Sequence, residues 1–244
     1  MIALPAAALP AAAAEAPEAG SALEVAAYLW ASGFGGTIRP SPGAPTVRIS
    51  RSFGEPLEDL DAAVFASGLA RRGRLVAVAD ASHASSACAG LVPTPIPGLP
   101  AAPAEGQLRQ TSLMLLLGLR PVARRDVSID LLGGLRTFWI RTAVEVPALG
   151  VQRSPTASLT QPILAARINA QVAGGLSILA YGDVGGLGVG SELTTQAVAM
   201  VNTRLLPRTW LSLGYRYLMV DEDGQRLRAD VHLAGPLLGV TLAF

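Results

Sequence analysis

Lysine is absent from this chain of 244 residues, and all 19 basic residues are arginine. With 18 acidic residues the formal net charge is only +1. Nucleic-acid binders carry a strong basic excess, so no nucleic-acid partner is expected. Charge of either sign is scarce: 15% of residues are charged, where a soluble domain carries about 25%. Cys88 is the sole cysteine, which excludes a disulfide framework and a cysteine metal site. No apolar run reaches the roughly 18 residues that a spanning helix needs. The best interior run, Leu113 to Leu119, is bracketed by Arg109 and Arg120.

What is present is hydrophobicity, at 50% of the residues. A chain this apolar, without a helix to place in a membrane, has one other way to span it. Lipid cannot satisfy free backbone groups, so the spanning sheet must close into a barrel. The last residues show the pattern. Leu238, Val240, Leu242 and Phe244 alternate with Gly239, Thr241 and Ala243. Alternate strand residues point to opposite faces, so this tail is a strand with one greasy face.

The same rhythm recurs upstream. Leu164, Ala166, Ile168, Ala170 and Val172 oppose Arg167, Asn169 and Gln171. Leu211, Leu213, Tyr215, Tyr217 and Met219 oppose Ser212, Gly214 and Arg216. Leu75, Ala77, Ala79 and Ala81 oppose Asp80 and Ser82. Val127, Ile129, Leu131 and Leu135 oppose Ser128, Asp130, Gly134 and Arg136. Thr195, Ala197, Ala199 and Val201 oppose Thr194, Gln196, Asn202 and Arg204. Period-2 alternation of this kind marks half-buried strands.

Short links fall at Arg71 to Arg74, Pro121 to Arg125, Ala173 to Gly175 and Leu206 to Arg208. Longer links run from about Gly33 to Leu60, Ala84 to Gly106, Thr142 to Thr160, Gly185 to Ser191 and Glu222 to Arg228. Four short turns and five longer links require ten strands, with both ends on the short-turn side. The expected fold is all-β: an up-and-down antiparallel transmembrane β-barrel of about ten strands, with eight as the fallback. Residues 1–22 read as a signal-like leader or disordered segment, and 23–244 as the barrel domain. The leader has an apolar core and small residues around Ala12 to Ala14. It lacks the positive amino-terminal region of a secretory signal, so a start further upstream and a low-complexity leader both stay open.

Several words of the chain resemble small outer-membrane β-barrel proteins of Gram-negative bacteria, a largely uncharacterised group. They are Tyr28-Leu29-Trp30-Ala31-Ser32-Gly33, the stretch from Gly182 to Ser191, Leu213 to Leu218, Gly235 to Gly239, and the terminal Phe244. The resemblance spans about Glu24 to Phe244. It implies an integral protein of the cell outer membrane with no established reaction. Its implied partners are outer-membrane lipid and the barrel-assembly machinery, engaged through the strand ending at Phe244.

Inward-facing Arg136, Arg167, Arg204 and Arg216 are expected to meet Asp80, Asp130 and Asp183 in the lumen. Charges shut inside a narrow barrel must pair or stay wet. This network either holds the barrel shut or forms a constriction biased toward small anions. Tyr28, Trp30, Trp139, Trp210, Tyr215, Tyr217 and Phe244 are candidates for interfacial girdles. The glycine-dense stretch from Gly182 to Gly190 lacks the lysine and following helix of a phosphate loop, so it reads as a hairpin loop.

Two histidines invite hydrolytic readings. Asp230 and His232 share a strand face near Asp221 and Asp223, which is similar to the water-activating arrangement of ten-stranded outer-membrane proteases. Against it, the chain shows no strands long enough to project a cleft above the membrane. His83 and Ser85 are two apart, as an ester-attacking pair would need. The expected function is non-enzymatic: a structural envelope barrel, or one passing small solutes weakly. No catalytic, cofactor or metal site is assigned, and a monomer is expected. The alternatives are an outer-membrane hydrolase acting on lipid or peptide, and a soluble lipocalin-like barrel that binds an apolar ligand.

Overall fold

A computed structural model of the protein describes residues 20–39, 47–51, 60–92, 102–146, 151–154, 156–189, 191–223 and 228–244. These form strands and connections with no helix. The strands are β1 (Ser21–Trp30), β2 (Gly33–Arg39), β3 (Val47–Arg51), β4 (Leu60–Arg72) and β5 (Leu75–Val92). Then come β6 (Ala102–Ala123), β7 (Val127–Val146), β8 (Val151–Arg153), β9 (Thr156–Ala173) and β10 (Leu176–Val189). The last are β11 (Ser191–Leu206), β12 (Thr209–Asp223) and β13 (Arg228–Ala243).

Ten of them form a closed antiparallel ring in the order β1, β4, β5, β6, β7, β9, β10, β11, β12, β13. The ring shuts where β13 pairs with β1, with Tyr28 opposite Gly239 and Leu29 opposite Leu238. Neighbouring strands are consecutive in the chain, apart from the small additions β2, β3 and β8. The barrel is therefore up-and-down, as the strand count predicts. Within the ten-strand ring closure leaves no edge strand, and among the described strands only the added β3 and β8 have a single neighbour.

β1 and β2 are one course broken at Ala31 and Ser32. Below the break β1 runs along β13 as far as Leu237, and above it β2 pairs with β13 from Ala234 to Arg228. Gly235 faces the break, and any side chain there would fall on the carbonyl oxygen of Ala31. β3 adds a hairpin to β2, and β8 folds back on the end of β7.

The start of β1 and the carboxy-terminal residue sit at the short-turn end of the barrel. Ser21 pairs with Arg72, and the Phe244 amide donates to Leu23 O at 2.8 Å. β1 begins at Ser21, inside the segment 1–22 read as a leader. Residues 1–19, which hold the expected signal core, lie outside the described residues.

The structure resolves which face is which. Leu115, Leu117, Leu131, Leu135, Leu164, Leu213, Leu238 and Leu242 are exposed on the outer wall. Asp80, Asp130, Arg136, Arg167 and Arg216 are buried inside. A lipocalin-like barrel places its greasy face inward, so this direction argues against that alternative. The aromatic residues divide. Trp139, Tyr215, Tyr217 and Phe244 are exposed outside, whereas Tyr28, Trp30 and Trp210 are buried inside and leave the expected girdles.

The strands are longer than the links predict. β6 has 22 residues, β7 has 20, and β5 and β9 have 18 each. A tilted strand crosses a membrane in about 9–11 residues. With a membrane around the leucine belt, the surplus carries the wall roughly 20–30 Å beyond it on the loop side, at ~3.3 Å per residue and ~40° tilt. This overturns the expectation that no strands project. Cys88, placed by sequence in a loop, is a strand residue opposite Gly106. The Gly185 to Ser191 link is likewise almost all strand. Its register shifts between Gly186 and Val189, where Gly186, Leu187 and Gly188 take positive φ and form a bulge.

The inside-outside assignment has a spectroscopic consequence. Trp139 is 42% exposed on the outer wall, while Trp30 and Trp210 are 8% and 1% exposed inside. In vesicles of lipid brominated near the headgroup, fluorescence quenching is expected from Trp139 alone. Trp139→Phe should abolish the quenching, and Trp210→Phe should leave it. Persistent quenching in Trp139→Phe would refute this assignment of faces.

Candidate functional site

The candidate site is the lumen, because that is where strand alternation delivers the buried charges of the described strands. Asp130 and Arg136 from β7, Arg167 from β9, Asp183 from β10 and Arg216 from β12 all project inward and are buried. Asp80 arrives from β5 in the same way. They separate into two clusters.

The first cluster lies toward the short turns and centres on Asp130, whose side chain is completely buried. Arg120 grips it with two bonds, Nε to Oδ1 at 2.6 Å and Nη2 to Oδ2 at 3.0 Å. Arg167 Nη1 donates to the same Oδ2 at 3.0 Å. Such a fork on a carboxylate is the strongest form of ion pair available to arginine. Glu24 and Arg71, both buried, belong to the same end of the lumen.

The second cluster lies further toward the loop side. Arg136 Nη2 and the Tyr181 hydroxyl both donate to Asp183 Oδ2, at 2.6 and 2.7 Å. The Met114 sulfur accepts weakly from Arg136 at 3.5 Å. Asp80 accepts from the Tyr28 hydroxyl at 3.0 Å, and the Tyr28 ring packs on Phe65 at 5.2 Å between centroids. Arg216 lies 4.7 Å over the Trp30 ring and donates to Gln196. Arg204 is set apart near a short turn, 4.9 Å over the Trp210 ring. Cation–π stacking gives each of these two arginines an aromatic face as a neighbour.

The sequence therefore places these seven residues on one face but does not assign their neighbours. Arg136 meets Asp183 and Arg167 meets Asp130, while Arg204 and Arg216 rest on tryptophans. Arg120, Tyr28 and Tyr181 enter the network unannounced. Parity carried the signal for Arg120. It follows Leu113, Leu115, Leu117 and Leu119, all outward, and so must point in.

Nor is the interior purely polar. Leu69, Val78, Leu116, Leu179, Val198, Leu218 and Leu237 also point inward and pack into one apolar cluster. Leu179 and Leu218 are 0% exposed. Inward residues stay buried from Glu24 and Trp210 at one end to Gln110, Phe138 and Gln161 at the other. A water-filled channel would leave a file of inward residues accessible, and the described residues show none.

The hydrolytic couples lie elsewhere. His83 is exposed on the outer wall, where its Nδ1 meets Thr111 Oγ1 at 2.8 Å. Asp230 and His232 are exposed too, and His232 stacks on Tyr217 with centroids 6.2 Å apart. Asp221 stands directly across from Asp230. Neither histidine faces the lumen. Among the described residues no three His, Cys, Asp or Glu side chains converge as a metal set.

The Arg136–Asp183 pair should behave as a buried ion pair. Arg136→Met strands a buried carboxylate and is expected to cost about 3–5 kcal/mol of barrel stability. Arg136→Met with Asp183→Leu removes both charges and should recover most of that loss. Urea unfolding in lipid vesicles measures it, and equal losses in the single and double variants would contradict the pairing.

No protein-family model matches the chain, and no curated protein matches it. Solved structures do. The outer membrane protease OmpT from Escherichia coli matches with a TM-score of 0.54 at 8% identity, over 95% of this chain and all of that one. The translocator domain of the autotransporter NalP from Neisseria meningitidis gives 0.47 at 14% identity, over 92% of this chain and 89% of that one. The attachment invasion locus protein Ail of Yersinia pestis gives 0.36 at 13% identity, over 92% and 99%. At 8% identity the likeness to the protease is one of architecture alone. In fold, the chain is a ten-stranded up-and-down β-barrel of the outer-membrane kind.

Proposed function

We propose that this protein is an integral outer-membrane barrel, closed to solutes and non-enzymatic, whose role is structural. The burial of the described inward side chains, from Glu24 and Trp210 to Gln110 and Gln161, carries this reading. Ten strands enclose little more than their own side chains. Here the two ionic clusters and the apolar cluster occupy that space. Weak passage of solutes is the less favoured form, since it needs a continuous wet path past Leu179 and Leu218.

Membrane location is supported by the outer wall. Its leucine, valine and alanine rows carry no charge between Leu113 and Leu119 on β6, or between Leu238 and Phe244 on β13. Outer-membrane lipid is the proposed partner of that belt. The terminal strand, ending at exposed Phe244, is the proposed handle for barrel-assembly machinery. The non-enzymatic part rests on the histidines, which sit on the outer wall away from the buried carboxylates. A monomer fits a ring that closes on itself without a second copy.

Folding into detergent should give heat-modifiable migration on a gel, and solubility without detergent would sink the membrane reading. In planar bilayers the folded protein is expected to give no steady channels. Steady conductance would overturn the closed lumen and leave the solute-passing form.

A further inference from the structure

Arg109 and Arg141 stand directly opposite each other across β6 and β7, and both side chains are exposed. Like charges set face to face across a strand pair repel. Neither is held by an ion pair among the described residues. They also share the outward face, since Arg109 keeps the parity of Leu113, Leu115 and Leu117, and Arg141 that of Leu131, Leu135 and Trp139.

Their surroundings are graded. In register with the two arginines lie Ser85 on β5 and Thr156 on β9. One row toward the membrane are His83, Thr111, Trp139 and Ser158. The next row holds Ala81, Leu113, Thr137 and Thr160, with the two threonine hydroxyls 3.0 Å apart. Below it come Ala79, Leu115, Leu135 and Pro162, then Ala77, Leu117, Gly133 and Leu164, all uncharged. Arg109 is four residues above Leu113, which with ~3.3 Å per residue and ~40° tilt is roughly 10 Å of height. That is headgroup depth for a lipid whose chains lie against the leucines. The opposite wall differs at its loop end, where Asp221 faces Asp230.

We propose that Arg109 and Arg141 form an outer-wall site for a phosphate monoester on the headgroup of a membrane lipid, with Trp139 against the same headgroup. Guanidinium forks match phosphate oxygens, and one anion between the two removes their repulsion. A monoester carries about −1.5 to −2 charges at neutral pH, which two arginines balance. A phosphodiester carries one and leaves half the repulsion in place. The position above the leucine belt selects a lipid over a free anion, since the acyl chains bind beside the headgroup. The site rests on the membrane reading given above.

The test uses the full chain folded into phosphatidylcholine vesicles, with and without diphosphoryl lipid A as the phosphate-monoester probe. Parallel arms contain phosphatidylglycerol at equal charge, or free inorganic phosphate. The readouts are the midpoint of heat-modifiable unfolding and the emission of Trp139. Lipid A is expected to raise the midpoint by several degrees and shift the emission. Arg109→Gln or Arg141→Gln should each at least halve both effects, and the double variant should abolish them. Arg72→Gln, at the short-turn end, should keep them. Phosphatidylglycerol should give less than half the shift, and inorganic phosphate none. An undiminished response in the double variant, or an equal response to phosphatidylglycerol or inorganic phosphate, overturns the site. Normal folding with no response to lipid A overturns the site and leaves the membrane reading standing. Failure to fold into any vesicle overturns both.

Discussion

Everything in this structure depends on one requirement: no backbone amide or carbonyl can be left unpaired where the wall meets lipid. Each such group costs several kcal/mol in hydrocarbon. A sheet meets the requirement only by closing, and this one closes where β13 lies along β1. The seam needs more than two strands of the right length. Its course changes from β1 to β2 at Ala31 and Ser32, with β13 continuous across the change. Gly235 supplies the room there, and the Ala31 amide stays paired by donating to Pro236 O at 3.1 Å.

Closure then fixes the fate of every side chain by parity. With lipid outside, a charge on the outer parity is expensive, so the charges of the spanning wall fall on the inner one. Once inside, they lose bulk water and must find partners. Asp130 takes two arginines, and Asp183 takes an arginine and a tyrosine. Arg216 and Arg204 take tryptophan faces. Trp30 and Trp210, placed inward, offer those arginines an aromatic face inside the lumen.

How much of this is legible in the sequence follows from the same logic. Alternation is local, so the strands and the residues that share each face can be read from one dimension. Which faces are inside cannot, because alternation has no sign. Strand length is hidden for a related reason. Above the lipid the outer face no longer needs leucine, so positions such as Ser85 on β5 and Thr156 and Ser158 on β9 read as loop. Their backbone remains in the ladder. Partner choice within the lumen is also out of reach. It depends on which strands meet across the barrel, and Arg136 and Asp183 are 47 positions apart on β7 and β10.

The loss of leucine is itself informative about depth. On β6 the outward series runs Arg109, Thr111, Leu113, Leu115, Leu117, Leu119, and on β7 Arg141, Trp139, Thr137, Leu135. Both pass through hydroxyl or aromatic residues to arginine as they leave the belt. In water alone the two arginines would gain nothing from standing opposite each other, and the ladder holds them so whatever their side chains prefer. The cost is small if the neighbourhood supplies negative charge, as the headgroup layer of an anionic leaflet does. Inside the barrel, arginines are matched to carboxylates and tryptophans of the same chain. On the outer wall Arg109 and Arg141 face outward, and the proposed lipid phosphate supplies the counter-charge between them.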